Sequence, residues 1–293
     1  MNVKEASLIS YLLSVLDGKA EMPSYLLSEF AELSKKALEK HFTRKEEDFR
    51  LRMSNVGKPL CQLQMQAKGV EPEKPSHDFI VRMIIGDMLE ALVIVLLKAS
   101  KIEVKSQHQK VSLGVGDTQI EGEYDIELDD GIYDIKSVSP FSFTTKFNAD
   151  NGYDKIKQSD SFGYISQGHG YGMAANKPFK GWIAINKTTG EIVFTDAKHT
   201  DEEKKEVYSK IYNNSVALLE EKPFERCFTD IEEVYYSKPT GNRTLGIECS
   251  YCPYKHDCWD NLEFRRQLPS KGKNPKWTWY TKIDPKWIEE NVQ

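Results

Sequence analysis

The stretch Gly122–Lys136, GEYDIELDDGIYDIK, decides how this chain is read. Apolar residues flank Asp125 and Asp134, which lie nine positions apart, and Lys136 follows Asp134 by two. Asp129-Asp130-Gly131 has the composition of a hairpin turn, so the segment predicts two antiparallel strands that bring Asp125 and Asp134 close together. Two carboxylates that close repel unless a proton or a divalent cation sits between them, and hard oxygen ligands suit Mg²⁺ or Mn²⁺. By the two-residue period of a strand, Lys136 shares a face with Asp134, so its ammonium reaches the same place. Alone, Asp134-Ile135-Lys136 is a weak signal, and the plain alternative is the solvated edge of a hairpin.

Outward from this hairpin, residues 101–138 carry three strand patterns, IEVKSQHQKVSL, TQIEGEYDIEL and GIYDIKSVS. Upstream, Asp78–Ser100 predicts a long helix, apolar on nearly every side and therefore buried, with Asp87 and Glu90 embedded in it. Val70–Asp78 is a proline-bearing loop, and residues 4–16 and 24–42 form a helical hairpin with no assigned role. Downstream come a second helix over Gln158–Asn176, a hairpin turned at Thr188-Thr189-Gly190, and a charged amphipathic helix over residues 201–222. In the second helix, Gln167 and Tyr171 are four apart and share a face. Gly163, Gly168, Gly170 and Gly172 are costly there; they serve close approach of a phosphate backbone, or the segment is partly loop. The order of elements predicts an α+β fold with a mixed central sheet flanked by helices. It divides into a helical region 1–60, a core 61–225 and a cysteine-rich segment 226–293.

Four short patterns occur in sequence: GDMLE (Gly86–Glu90), GEYD (Gly122–Asp125), DIK (Asp134–Lys136) and QGHGY (Gln167–Tyr171). Together they resemble the RecB-type branch of the PD-(D/E)XK nuclease superfamily over about residues 80–172. One departure is Glu90, where many such nucleases have histidine. The resemblance implies a restriction-endonuclease-like fold and hydrolysis of phosphodiesters in DNA. It implies that Glu90, Asp125 and Asp134, with the carbonyl of Ile135, hold one or two Mg²⁺ or Mn²⁺ ions. Lys136 would orient or activate the attacking water, Gln167 would position the lysine or the nucleophile, and Tyr171 would contact the DNA strand.

Cys249-Ser-Tyr-Cys252-Pro-Tyr-Lys-His-Asp-Cys258 has spacing that gathers three thiolates around one centre, with Cys61, Cys227 or His256 as the fourth ligand. On spacing alone a structural zinc site using Cys227 or His256 is plausible. The resemblance implies instead a 4Fe–4S cluster held by Cys61, Cys249, Cys252 and Cys258, as in CRISPR-associated relatives, with Cys227 a small core residue. Iron and zinc both remain open at this level.

The net charge of −5 over 293 residues argues against holding nucleic acid by bulk electrostatics, but a local basic groove is compatible with it. The N-terminus lacks the features of a signal peptide, and the longest apolar run, Ala91–Leu97, is too short to span a bilayer. The expectation is a soluble, cytoplasmic protein whose partners are DNA and recombination or repair proteins, with no membrane. The tail Phe264–Trp287 interleaves basic residues with Trp277, Trp279, Tyr280 and Trp287, which either stack on a single strand or pack as an arm on the domain. Lys146, Lys155 and Lys157 could touch phosphates, although solvated surface lysines are the commoner case. His77, His108, His169 and His199 form no ligand spacing, and His169, which alone falls near the expected site, reads as a polar surface residue rather than a catalyst. Two functions follow: a metal-dependent nuclease, most simply an exonuclease in recombination, repair or DNA degradation, or a non-hydrolytic nucleic-acid-binding protein with the same fold.

Overall fold

The structure, a computed structural model, describes residues 2–43 and 48–289. Along the chain come α1 (Val3–Leu16), α2 (Ser24–Phe42), α3 (Leu60–Ala67) and α4 (His77–Ala99), then β1 (Val104–Val115), β2 (Thr118–Leu128) and β3 (Gly131–Val138). A short helical turn, α5 (Pro140–Ser142), runs into a π-helical turn at Phe143–Phe147. Next are α6 (Gly152–Gln158), α7 (Tyr164–Ala175), β4 (Phe179–Asn186), β5 (Ile192–Asp196) and α8 (Asp201–Leu219). The remainder holds β6 (Ile231–Tyr235), β7 (Lys238–Thr244), α9 (Ile247–Ser250), α10 (Lys255–Cys258), β8 (Glu263–Arg266), β9 (Trp277–Lys282) and α11 (Pro285–Glu289).

Two compact units result. The first comprises residues 1–58 and 75–219, the second residues 59–74 and 220–293. This division differs from the three segments read in the sequence: the N-terminal helices belong with the central sheet, and the helix bearing Cys61 belongs with the C-terminal cysteines.

The first unit is built on a five-stranded sheet in the order β1-β2-β3-β4-β5, antiparallel except for the parallel β3–β4 pair. The expected mixed sheet flanked by helices is therefore present. One face packs Ile126, Leu128, Tyr133 and Ile135 against Leu8 of α1 and Val93, Ile94 and Leu97 of α4. The other packs Ile132, Trp182 and Ala184 against Ile165 and Tyr171 of α7 and Val207 and Ile211 of α8. Burial of these aliphatic and aromatic side chains, each contributing about 1.5–3 kcal/mol, is what holds the helices to the sheet.

Two helices differ from expectation. α4 is not buried throughout: Phe79, Ile80, Val81, Met83 and Ile85 are exposed, and burial begins at Ala91. A helix of 23 residues is about 35 Å long and outruns the sheet it lies on. The helix expected over Gln158–Asn176 is broken: α6 ends at Gln158, and α7 starts afresh where the Asp160 carboxylate accepts the N–H groups of Tyr164 (2.7 Å) and Ile165 (3.0 Å).

The glycines of α7 sit inside a continuous helix, facing protein. A methyl on residue 168 would run into the Phe179 ring, one on residue 170 into Met53, and one on residue 172 against the Lys177 carbonyl oxygen. Their purpose is close approach of α7 to β4 and to the segment holding Met53, and not to a phosphate backbone. The segment is partly loop, as the alternative had it, at its start, where Gly163 is the left-handed residue before α7.

The second unit has an antiparallel sheet in the order β6-β7-β9-β8. Its interior is partly polar: buried Glu233 accepts hydrogen bonds from Asn242 (2.8 Å), Tyr280 (2.9 Å) and Thr240 (3.1 Å). Of the tail's aromatics, Tyr280 is buried in this sheet, whereas Trp277, like Phe264, remains exposed. Phe264 stacks on Trp277 and Trp279 at 5.1 and 4.6 Å, and the Trp287 indole donates to the Thr240 carbonyl at 3.0 Å. Among the described residues no helix is long and apolar enough to cross a membrane.

Candidate active site

The hairpin read in the sequence positions the site. β1 pairs with β2 through Gln107–Ile126 and Gln109–Tyr124, and β2 pairs with β3 as far as Ile126–Tyr133. Continuing both registers sets His108, Asp125 and Asp134 in one row across three strands. At this row β2 changes faces: Ile120 and Tyr124 belong to the core under α7, while Ile126 and Leu128 belong to the core under α4. The ladder between β2 and β3 ends here, and the Ile135 N–H donates to Asp125 Oδ2 at 2.6 Å instead. The opened sheet is what lets polar side chains gather between two apolar cores.

Asp134 is 1% exposed, and neither of its carboxylate oxygens receives a well-aligned hydrogen bond. Its neighbour is Lys136, whose Nζ lies 2.6 Å from Oδ2 as an ion pair by distance and 5.2 Å from the centre of the Tyr164 ring. Glu90 comes from α4, with its Oε1 3.7 Å from His108 Nδ1. His108 Nδ1 is also 3.6 Å from Glu123 Oε1. Gln167 donates to the Tyr171 hydroxyl at 3.2 Å, and Tyr171, 3% exposed, forms part of the wall. The expected residues Glu90, Asp125, Asp134, Lys136, Gln167 and Tyr171 thus all fall in one region of the first unit.

Burial is the main electrostatic fact of this region. It pushes Asp134 up to about 7, with Lys136 opposing and Asp125 adding to the rise. It also raises Asp125, against Lys136 and the Ile135 N–H, and lifts Glu90 well above the usual carboxylate range, with Asp125 adding to it. For Lys136 burial acts downward, but Asp134 and then Asp125 outweigh it and the pKa ends raised. Without a cation at the carboxylates, Lys136 therefore stands as an ammonium that can donate hydrogen bonds beside Asp134. Among the described residues no three His, Cys, Asp or Glu side chains already converge at coordination distance. The donor chemistry nonetheless fits a hard divalent ion: the buried Asp134, whose two oxygens lack aligned donors, beside the half-buried carboxylates of Asp125 and Glu90, with Asp125 raising the other two.

The site opens into a cleft of about 1040 Å³. Glu90 and Asp125 line it together with Asp87, Glu121 and Glu123, and its cations are Lys36 and Lys40 of α2, Arg50, Arg52 and Lys110 of β1. This is the role the sequence reading did not find for the N-terminal hairpin. Lys36 and Lys40 are one helical turn apart, a spacing visible beforehand, but which face met the site was not. Asp87, the other carboxylate of α4, ties the two helices together: Lys40 Nζ and His41 Nε2 each lie 3.0 Å from its Oδ2.

Other expectations fall differently. His169 is buried against the Tyr153 hydroxyl (3.1 Å), which in turn donates to Glu203 at 2.6 Å, so His169 is a core residue; His108 is the histidine at the site. Lys157 pairs with Glu203 and Glu206 at 3.0 and 2.7 Å, and Lys146 donates to the Ser159 carbonyl at 3.1 Å.

All five cysteines lie in the second unit. Cys249 is buried with Leu245 and Trp259, and Cys258 packs against that cluster. Cys227 is exposed, not a core residue, and its sulfur accepts the Cys61 N–H at 3.1 Å. Cys249 feels the charges of Cys258 and Cys252, and Cys258 that of Cys227. Cys227 thus lies beside Cys61 and near Cys258, and Cys249 near Cys252 and Cys258.

No family model and no curated protein matches the sequence. Among solved structures, that of SSO0001 is similar over 76% of this chain and 93% of its own, at 15% identity and a TM-score of 0.42.

Proposed function

We propose that this chain is a metal-dependent DNA nuclease of the RecB-type PD-(D/E)XK kind on a restriction-endonuclease-like fold, an exonuclease working at DNA ends or on single strands. The observation that carries the reading is the buried Asp134, whose oxygens lack aligned donors, beside a lysine held charged and next to the half-buried Asp125 on the adjoining strand. A binding module has no use for such mutually repelling groups, whereas a hydrolase does. The cations Lys36, Lys40 and Lys110 along the cleft suit a phosphate backbone.

Glu90, Asp125 and Asp134 with the Ile135 carbonyl would hold the divalent ion, which when bound offsets the charge that develops on the phosphate oxygens. Hydrolysis adds water across a P–O bond, so the water oxygen loses a proton and the leaving oxygen gains one. Lys136 contributes a fixed donor toward the water or the phosphate, and its charge is set by Asp134 and Asp125. Tyr164 flanks the ammonium and limits its rotation. Gln167 and Tyr171 brace each other at the wall and keep the site's shape. In the second unit, the cysteines would hold a 4Fe–4S cluster as a structural staple, with zinc as the alternative.

The test uses anaerobically purified protein with end-labelled single- and double-stranded DNA in Mg²⁺, Mn²⁺ or EDTA, beside Asp134→Ala and Lys136→Ala. Metal-dependent cleavage that falls by about 10²-fold or more in each variant is expected. Binding without cutting in either metal, with the cluster's iron intact, would replace this reading with a non-hydrolytic DNA-binding protein.

A further inference from the structure

His108 lies within β1 but has φ +49, a left-handed conformation that is uncommon for a residue with a side chain and unusual inside a strand. Strain of this kind is retained where the surroundings require it, often at functional sites. Here the surroundings are the row His108, Asp125, Asp134 and the carboxylates of Glu90 and Glu123. The imidazole Nδ1 is 3.7 Å from Glu90 Oε1 and 3.6 Å from Glu123 Oε1, both longer than a hydrogen bond. Simple pairing with a carboxylate therefore does not account for the strained backbone. Two atoms bound to one small divalent ion at about 2.1 Å are about 3.0 Å apart when adjacent and about 4.2 Å apart when opposite. The observed separations fall between these limits, so nitrogen and carboxylate oxygen are spaced to share an ion with little movement of either.

We propose that His108 is a ligand of the divalent ion, beside Glu90 and Asp125, and that it biases the site toward Mn²⁺ over Mg²⁺. The proposal rests on the nuclease reading of this site. Imidazole nitrogen is a poor ligand for Mg²⁺, which favours oxygen, and a better one for first-row transition ions. The left-handed residue falls on the row where β2 changes faces opposite Asp125, and it leaves the imidazole beside Glu90 and Glu123.

The experiment is a Mn²⁺ titration followed by electron paramagnetic resonance, with pulsed measurements of nitrogen coupling, on the full chain, His108→Asn and Asp134→Asn. Asparagine tolerates the left-handed backbone and lacks the imidazole, and thermal melting checks the fold. The full chain should bind Mn²⁺ with imidazole nitrogen coupling. His108→Asn should lose that coupling and bind Mn²⁺ about 10-fold to 100-fold more weakly, while Mg²⁺ affinity, read by competition, changes far less. Should His108→Asn not fold, the coupling in the full chain and in His108→Gly decides. Mn²⁺ binding that Asp134→Asn abolishes but that shows no nitrogen coupling overturns the role of His108 and leaves the nuclease reading standing. Absence of any Mn²⁺ binding sensitive to Asp134→Asn overturns both.

Discussion

Asp134 shows how one buried residue links stability to function. Its carboxyl is raised by burial to about 7, whereas in the unfolded chain it titrates at about 4. Between those values the folded, metal-free protein keeps a proton that the unfolded chain has released, so stability falls as pH rises through that window. Above about pH 7 the folded state carries the full cost of the buried charge. Asp134→Asn removes this cost but also the counter-charge of the buried Lys136, so in EDTA the melting temperature of the variant relative to the parent should rise from pH 4 to pH 8, by about 2–4 °C per kcal/mol relieved. A difference equal at both pH values would mean that the Lys136 ion pair fully offsets burial. A site that is less stable for holding its charges, and that recovers on binding a cation, is one whose local rules are set by chemistry and not by folding.

At the scale of elements, α2 is the helix whose role is new. It lies on α4, fastened by Lys40 and His41 to Asp87, and turns Lys36 and Lys40 into the cleft. Because Lys40 is engaged with Asp87, the cleaner probes are Lys36 and Lys110. Lys36→Ala and Lys110→Ala, measured by DNA binding in the Asp134→Ala background, should each weaken binding and lower the slope of log K against log salt by about 1. An unchanged slope would take both lysines off the phosphate path. The row His108, Asp125, Asp134 was half legible beforehand. The hairpin approach of Asp125 to Asp134 follows from turn composition and strand period, but His108 does not, because a left-handed residue inside a strand carries no local signature when it is neither Gly nor Asn. α7 shows the reverse case. Its glycines were visible, but their purpose depended on Phe179 and Met53, which are distant in sequence.

At the scale of the whole molecule, two units divide the chemistry. The carboxylates and the lysine are in the first and all the thiols in the second. The second has a small apolar cluster around Leu245, Cys249 and Trp259, together with a buried carboxylate network, and small cores of this kind commonly depend on a metal or disulfides. The expected outcome of chelation or air oxidation is that an iron or zinc signal is lost together with a separate, lower calorimetric transition, leaving the transition of the first unit in place. Metal analysis with serine variants of Cys61, Cys227, Cys249, Cys252 and Cys258 then reads the ligand set directly. Retention of metal by Cys227→Ser and its loss in the other four is the result the resemblance implies. A single unchanged transition in metal-free protein would show that the thiols do not staple the unit.

The sequence by itself determined the three-strand meander, the approach of Asp125 to Asp134, the shared face of Asp134 and Lys136, and most helix spans. These depend on period, turn chemistry and capping, all of which act over a few residues. Only the tertiary structure decided that α2 walls the cleft, that His108 and not His169 faces the acids, that α4 emerges from the core for its first turns, and that Cys227 lies beside Cys61. Each of these depends on which surfaces meet across long stretches of chain, and burial, strain and electrostatic coupling exist only once those surfaces have met.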